Sequence, residues 1–332
     1  MTHSPRSNPV AAAWLGADDG VVVAELVRDG HIESLHHGVL AVVDHEGTTL
    51  LERGNPDAIV YPRSTLKPLQ ALAVLETGIE LSPLNLTLTT ASHSGSTRHR
   101  DAVLAFLRAY GLEESALQCP HDLPLGSAER AQFLAEGHEP SRLAMNCSGK
   151  HAGFLAACAH AGYSTEDYLS LEHPLQRSIT ETITRYAEEA PTFTSRDGCG
   201  APLHALSLRG LARAIAKVAR AQTPHEQQLA TAVRENSWAI DGEGRDNTVT
   251  IETVGGIAKI GAEGLVVIGT PSGVAVAVKI LDGSMRATSL VALAALESVG
   301  AITTTDASTL SERMAQPVTG GDAIIGGLQV RI

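Results

Sequence analysis

Aromatic side chains are scarce: the 332 residues include only 4 Phe, 2 Trp and 5 Tyr. A core with so few rings must rest on Ala, Leu, Val and Ile. The chain also has little with which to build the stacking platforms that hold single-stranded nucleic acid. Basic runs are absent as well. A formal net charge of -12 repels a phosphate backbone, and no local stretch of Lys and Arg reverses that sign. Nucleic acid is therefore excluded as a partner, and a small molecule is the default. No apolar stretch could span a bilayer: residues 265–269 and 273–278 are strand-sized and broken by Thr270-Pro271-Ser272. The opening Met-Thr-His-Ser-Pro-Arg-Ser-Asn-Pro has none of the apolar character of an export signal, so the expectation is a cytoplasmic protein. In that compartment Cys119, Cys147, Cys158 and Cys199 read as thiols or metal ligands rather than disulfides.

With 43% hydrophobic and 19% charged residues, the composition is that of an ordinary globular chain. The first eight residues read as a loose tail. Residues 21–27 and 31–43, split by Asp29-Gly30, read as paired strands, with a third at 48–52 after Glu46-Gly47. From Ser64 to about Glu76, Leu66, Leu69, Leu72 and Ala73 recur at helical spacing, with Ser64 placed to cap the start. The middle is rich in helical pattern, at 101–109, 128–136, 151–161, 175–188, 203–221 and 226–237. Near residue 250 the pattern returns to strands, at 257–260, 264–269 and 273–281, followed by a helix over 287–298. Strands, then helices, then strands predict an α+β fold, an antiparallel sheet built from both chain ends with a helical lobe inserted between them. On this reading residues 1–332 form one domain with two lobes. The sheet lobe takes about 10–60 and 245–332, and the helical lobe about 64–240. Neither the alternation of a parallel doubly wound sheet nor a Gly-rich nucleotide fingerprint is present.

Three short segments carry chemistry. Ser64-Thr65-Leu66-Lys67 sets a serine and a lysine three apart, sharing one face of a helix. A partly desolvated lysine there can lose its proton near neutral pH and serve as general base. The plain alternative is a capping serine beside a solvated lysine. Ala91-Ser92-His93-Ser94-Gly95 crowds polar residues at the end of an apolar run, which suits a cleft wall or a self-satisfied turn. Lys259-Ile260-Gly261 puts a lysine on a strand ahead of a small residue that admits a ligand, and resembles the Lys-Thr-Gly strand of penicillin-recognising enzymes. Those enzymes carry a Ser-x-x-Lys helix, a Ser loop and a lysine strand in this chain order. Three faint signals in one order weigh more than any one of them.

A fourth cluster, Asn146-Cys147-Ser148-Gly149-Lys150-His151, is answered by Asp197-Gly198-Cys199-Gly200-Ala201-Pro202. Two cysteines in separate glycine-containing loops suit zinc, which binds thiolates and lowers their pKa values. Chemistry alone nominates His151 as third ligand. Two buried reduced thiols are the plain alternative.

Together with Tyr61-Pro62-Arg63-Ser64-Thr65-Leu66-Lys67-Pro68, Ala91-Ser92-His93-Ser94-Gly95 and Lys259-Ile260-Gly261-Ala262-Glu263-Gly264, these blocks resemble the inducible, zinc-containing L-asparaginase family first seen in nitrogen-fixing soil bacteria. The resemblance covers nearly the whole chain. It implies a fold related to serine β-lactamases and glutaminases, usually as a homodimer, and hydrolysis of L-asparagine to L-aspartate and ammonia. It implies two Ser–Lys pairs, Ser64 with Lys67 and Ser92 with Lys259. It also implies zinc on Cys147, Lys150 and Cys199, with Arg63, His151 and Asp197 nearby at the substrate. One departure is Ser96, where the family pattern has an acidic residue.

The implied mechanism is attack by Ser64, deprotonated by Lys67, with Ser92 and Lys259 relaying a proton to the leaving ammonia or helping to activate water. Zinc would orient the amino-acid end of the substrate or fix the two loops. A glutaminase on the same scaffold is the nearest rival, since one methylene is worth only ~1–3 kcal/mol in a pocket. A non-catalytic metal- or amino-acid-binding protein is the rival from another class.

Overall fold

The computed structural model describes residues 13–332, so the expected N-terminal tail lies outside the described residues. Asp29 and Gly30 take φ values of 46° and 80°, the mirror-image turn geometry that matches the twist of paired strands. They join β1 (Val21–Arg28) to β2 (His31–Val43) as an antiparallel hairpin, and β3 (Thr49–Arg53) folds back onto β2. After β4 (Ile59–Val60) the chain turns helical: α1 (Lys67–Leu75), α2 (Pro83–Thr90), α3 (Thr97–Ala109), α4 (Ser127–Ala135), α5 (Ser148–Ala161) and α6 (Pro174–Ala187). Two strands, β5 (Phe193–Arg196) and β6 (Pro202–Ser207), interrupt the helices and join β4 in a small sheet ordered β4-β6-β5. α7 (Leu208–Arg220), α8 (Pro224–Glu235) and α9 (Asp246–Val254) follow.

The remaining chain returns to the large sheet. β7 (Ile257–Gly261), β8 (Leu265–Gly269) and β9 (Ala275–Ile280) form a meander that docks on β2. α10 (Thr288–Ser298) and α11 (Thr304–Met314) precede β10 (Val318–Gly320) and β11 (Ala323–Val330). β11 pairs with β1, so the order is β10-β11-β1-β2-β9-β8-β7. This is the α+β, antiparallel sheet from both chain ends that the sequence predicts. Strands β8 and β9 are buried along nearly their whole length, because α7 and α10 both pack on them. Among the described residues no helix is long and apolar enough to cross a membrane.

Some local expectations are corrected. Residues 203–221 are not one helix. The Ser207 hydroxyl accepts from Gly210 N–H, which starts α7 five residues later, and the apolar run before it is a strand buried between β4 and β5. The apolar run at 86–90 is the end of α2, which Ser82 caps. Neither α9 nor β11 stands out by periodicity. β11 is glycine-containing and takes its place from pairing with β1.

One packing contact sets up the site. A Cβ on Gly149 would lie 2.5 Å from Leu88 O, and one on Gly153 would lie 2.4 Å from Thr89 Oγ1. Only glycine allows α5 to lie this close to the end of α2. The loop after α2 is thereby held against the first turn of α5, and it carries Ser92 while the turn carries Cys147.

Candidate active site

Ser64 sits in a short 3₁₀ turn, Arg63–Leu66, that leads into α1. The residue before it, Arg63, has a φ of 52°, a left-handed conformation that non-glycine residues adopt at a cost and that is concentrated at functional sites. Arg63 Nε donates to Asp197 Oδ1 at 2.8 Å, which ties the turn to the loop carrying Cys199. Gly261 on β7 lies under the same turn. A Cβ there would meet Pro62 O at 3.0 Å and Thr65 Cγ2 at 3.1 Å, so the small residue after Lys259 admits the backbone of this turn.

Lys67 is 1% exposed, and its amine has three partners to match its three donor positions. It donates to Ala91 O, to Ser92 Oγ at 2.8 Å and to Cys147 Sγ at 3.2 Å. Ser64 is not among them. A buried amine needs all its donors satisfied, and the loop after α2 and the start of α5 together offer three acceptors where Ser64 offers one. Lys259, fully buried, donates to Ile260 O at 2.7 Å. Burial pushes its pKa down to about 7, and the neighbouring Lys67 adds to the depression. Its amine is therefore close to half neutral at physiological pH.

Cys147 begins α5 and joins this cluster to a second. Its thiol pKa is raised, first by the hydrogen bond with Cys199 and then by burial. Cys199 is driven the other way, well below the ordinary thiol range, by that same bond and then by the charge of Lys150. Lys150 Nζ lies 3.1 Å from Cys199 Sγ. Burial works against the Lys150 charge, but the two sulfurs outweigh it and raise its pKa. His151 is fully buried. Its Nδ1 pairs with Tyr168 OH at 2.7 Å, and its Nε2 has no partner among the described residues. Burial lowers its pKa, so the ring is a neutral nitrogen donor. No three His, Cys, Asp or Glu side chains converge on a metal position among the described residues. The converging set is two thiols with an amine or an imidazole. That soft, partly deprotonated donor chemistry fits zinc.

Ser64 and Ser92 line one cavity of about 560 Å³. Arg63 and Asp197 line a different cavity, of about 530 Å³, together with Trp14 and Tyr61. Asn146 and the residues after Lys259, both in segments marked from the sequence, also line the serine cavity, but sequence reasoning missed the 241–246 loop. Asp241, Arg245 and Asp246 form the other wall of that cavity. A signal was available in the run Asp241-Gly242-Glu243-Gly244-Arg245-Asp246-Asn247, charges set between glycines ahead of a helix. Asp241 is buried and fully used: Oδ1 takes Arg245 Nε at 2.6 Å and Oδ2 takes Asn247 Nδ2 at 3.1 Å. Asn247 Oδ1 in turn accepts from Ile260 N–H at 2.8 Å, fixing this loop to the Lys259 strand. Ser96 caps α3, its hydroxyl accepting from His99 N–H.

Ser64 and Ser92 share one cavity, and Lys67 and Lys259 lie buried beside it. A family model described as L-asparaginase II matches residues 24–330. The chain belongs to the L-asparaginase II family. Family membership makes it an amidohydrolase with a small-molecule substrate. No curated protein matches this L-asparaginase II chain. Two solved structures are similar to it at low identity. The structure of Mglu in its glutamate form aligns with a TM-score of 0.47 and 14% identity, over 79% of this chain and 60% of that one. A β-lactamase from Mycobacterium bovis aligns with a TM-score of 0.45 and 16% identity, over 79% of this chain and 94% of that one.

Proposed function

We propose that the chain hydrolyses L-asparagine to L-aspartate and ammonia through an acyl-enzyme on Ser64. The observation that carries this reading is Lys259, a fully buried amine with a pKa of about 7, beside Lys67 and below a cavity that holds two serines. Such a group takes up and returns a proton at neutral pH without a large driving force either way.

Ser64 Oγ attacks the side-chain carboxamide carbon while its proton passes to the lysine pair. The tetrahedral oxyanion is stabilised by amides at the start of the Arg63–Leu66 turn, which lack intrahelical acceptors. The C–N bond breaks as the proton returns to the leaving nitrogen, and ammonia departs. Water then attacks the ester, giving its proton to the same amines. L-Aspartate leaves and the serine hydroxyl is restored. Lys67 holds the Ser92 hydroxyl in place for these transfers.

A second reading makes Ser92 the nucleophile, favoured by its 2.8 Å bond to Lys67. The two differ in where the acyl group sits. Rapid acid quench with asparagine, followed by mass spectrometry of peptides, identifies the acylated serine. Comparing ammonia release from asparagine and glutamine decides between an asparaginase and a glutaminase.

Zinc would be held by Cys147, Lys150 and Cys199, with His151 beside them, and would fix the two cysteine loops behind the cavity. The same reading carries a homodimer, which light scattering tests.

A further inference from the structure

We propose that Arg245 and Asp246 clamp the two charges of a free α-amino acid, the Arg245 guanidinium taking the α-carboxylate and the Asp246 carboxylate taking the α-ammonium. This rests on the amidohydrolase reading and names what that site recognises. Both residues line the cavity that holds Ser64 and Ser92. Arg245 is anchored through Nε alone, on buried Asp241. Its two terminal nitrogens have no hydrogen-bond partner among the described residues, which leaves the fork that matches a carboxylate. Asp246 Oδ2 accepts from Ser289 Oγ at 3.1 Å, and Oδ1 has no donor among the described residues. Each residue thus has one end fixed in the fold and the other unengaged at the cavity wall.

The spacing suits the ligand. The ammonium and carboxylate of an amino acid sit on one carbon, so their receptors must be neighbours, and Arg245 and Asp246 are consecutive at the start of α9. The loop beneath them is fixed to β7 through Asp241 and Asn247, so the clamp keeps its distance from Ser64, whose turn packs on the same strand. A rigid span of that kind measures side-chain length. It also rejects asparagine within a peptide, where neither charge is free.

Truncated substrates test each half. Succinamic acid is asparagine without its ammonium, and 3-aminopropanamide is asparagine without its carboxylate. Arg245→Gln is expected to lower kcat/KM for asparagine and succinamic acid by roughly 10–100-fold, with 3-aminopropanamide nearly unchanged. Asp246→Asn is expected to lower asparagine and 3-aminopropanamide similarly and leave succinamic acid nearly unchanged. Arg245→Lys, which keeps the charge on Asp241 but loses the fork, should fall between. Equal losses on all three amides would mean that the residues only support the fold, and would overturn the clamp. A wild type that hydrolyses none of the amides refutes the amidohydrolase reading instead. Calorimetric binding of L-aspartate then tests the clamp: binding by the wild type that Arg245→Gln abolishes sustains it, and no binding by the wild type overturns it.

Discussion

Lys67 Nζ stands 2.8 Å from Ser92 Oγ, a bond that ties the first residue of α1 to the loop following α2. The same amine touches Cys147 at 3.2 Å, so one side chain joins three segments. Lys67→Met is expected to be doubly damaging. It removes catalysis and leaves the buried Ala91 O without a donor, destabilising the fold by about 1–3 kcal/mol. Denaturant titration beside an ammonia assay measures both.

Ser64→Ala should behave differently. The hydroxyl has no hydrogen bond to lose to Lys67 and lines a cavity, so stability should stay within about 0.5 kcal/mol of wild type. Asparagine hydrolysis should fall at least about a thousandfold. If a tenth of the activity survives, Ser64 is not the nucleophile, and Ser92→Ala becomes the decisive variant.

Lys259 links activity to pH and to stability. Its folded pKa of about 7 lies below the ordinary lysine value of 10.5. Between those values the unfolded chain holds a proton that the folded chain has released. Stability therefore rises with pH across that window and is lowest below about 7. The activity of the neutral amine should rise earlier, on a limb half-complete near pH 7. Lys259→Met should abolish hydrolysis and stabilise the protein at pH 7 by about 1–4 kcal/mol, since it replaces a poorly solvated amine with an apolar side chain of similar volume. A variant less stable than wild type at that pH would contradict the burial argument.

Metal content separates Lys150 from His151. Purified protein should carry about one zinc per chain, lost in Cys147→Ala and Cys199→Ala. Lys150 must give up a proton that the two sulfurs help it keep, so affinity should fall steeply on acidification. Lys150→Ala should lose zinc and His151→Ala should keep it. The reverse result, read by elemental analysis after dialysis, would make the unpartnered Nε2 of His151 the ligand.

Gly149→Ala tests the packing that positions Ser92. A methyl group at 2.5 Å from Leu88 O forces α2 and α5 apart. The expected cost is about 1–3 kcal/mol, with a loss of kcat exceeding any change in KM. A fully active, fully stable variant would show that the close approach does not matter to the site.

The sequence was most legible where local chemistry decides the structure. Asp29-Gly30 dictates its turn, and the hairpin follows. The lysines and serines of the site were readable as types, but not their pairings. A lysine stem spans several ångströms, and the direction Lys67 takes depends on a loop 25 residues away. Ser207 ends a strand and starts a helix with one hydroxyl, a cap that the helical periodicity of the following residues conceals. The Arg245–Asp246 wall went unseen because glycine-spaced charges before a helix usually face solvent. Its place on the cavity comes from Asp241 and Asn247, which are fixed by tertiary packing alone.

The pairing of β1 with β11 also has a consequence during synthesis. Leu26 faces Leu328 across the ladder, so β1 leaves the ribosome long before the strand that becomes its second neighbour exists. Contacts so distant along the chain close slowly, and until then β1 has an unpaired edge. The helices between the two sheet halves can meet one another early. Nascent protein should therefore pass through a stage with a packed helical body and an incomplete sheet, a form that sticks to its own kind and has most need of chaperones.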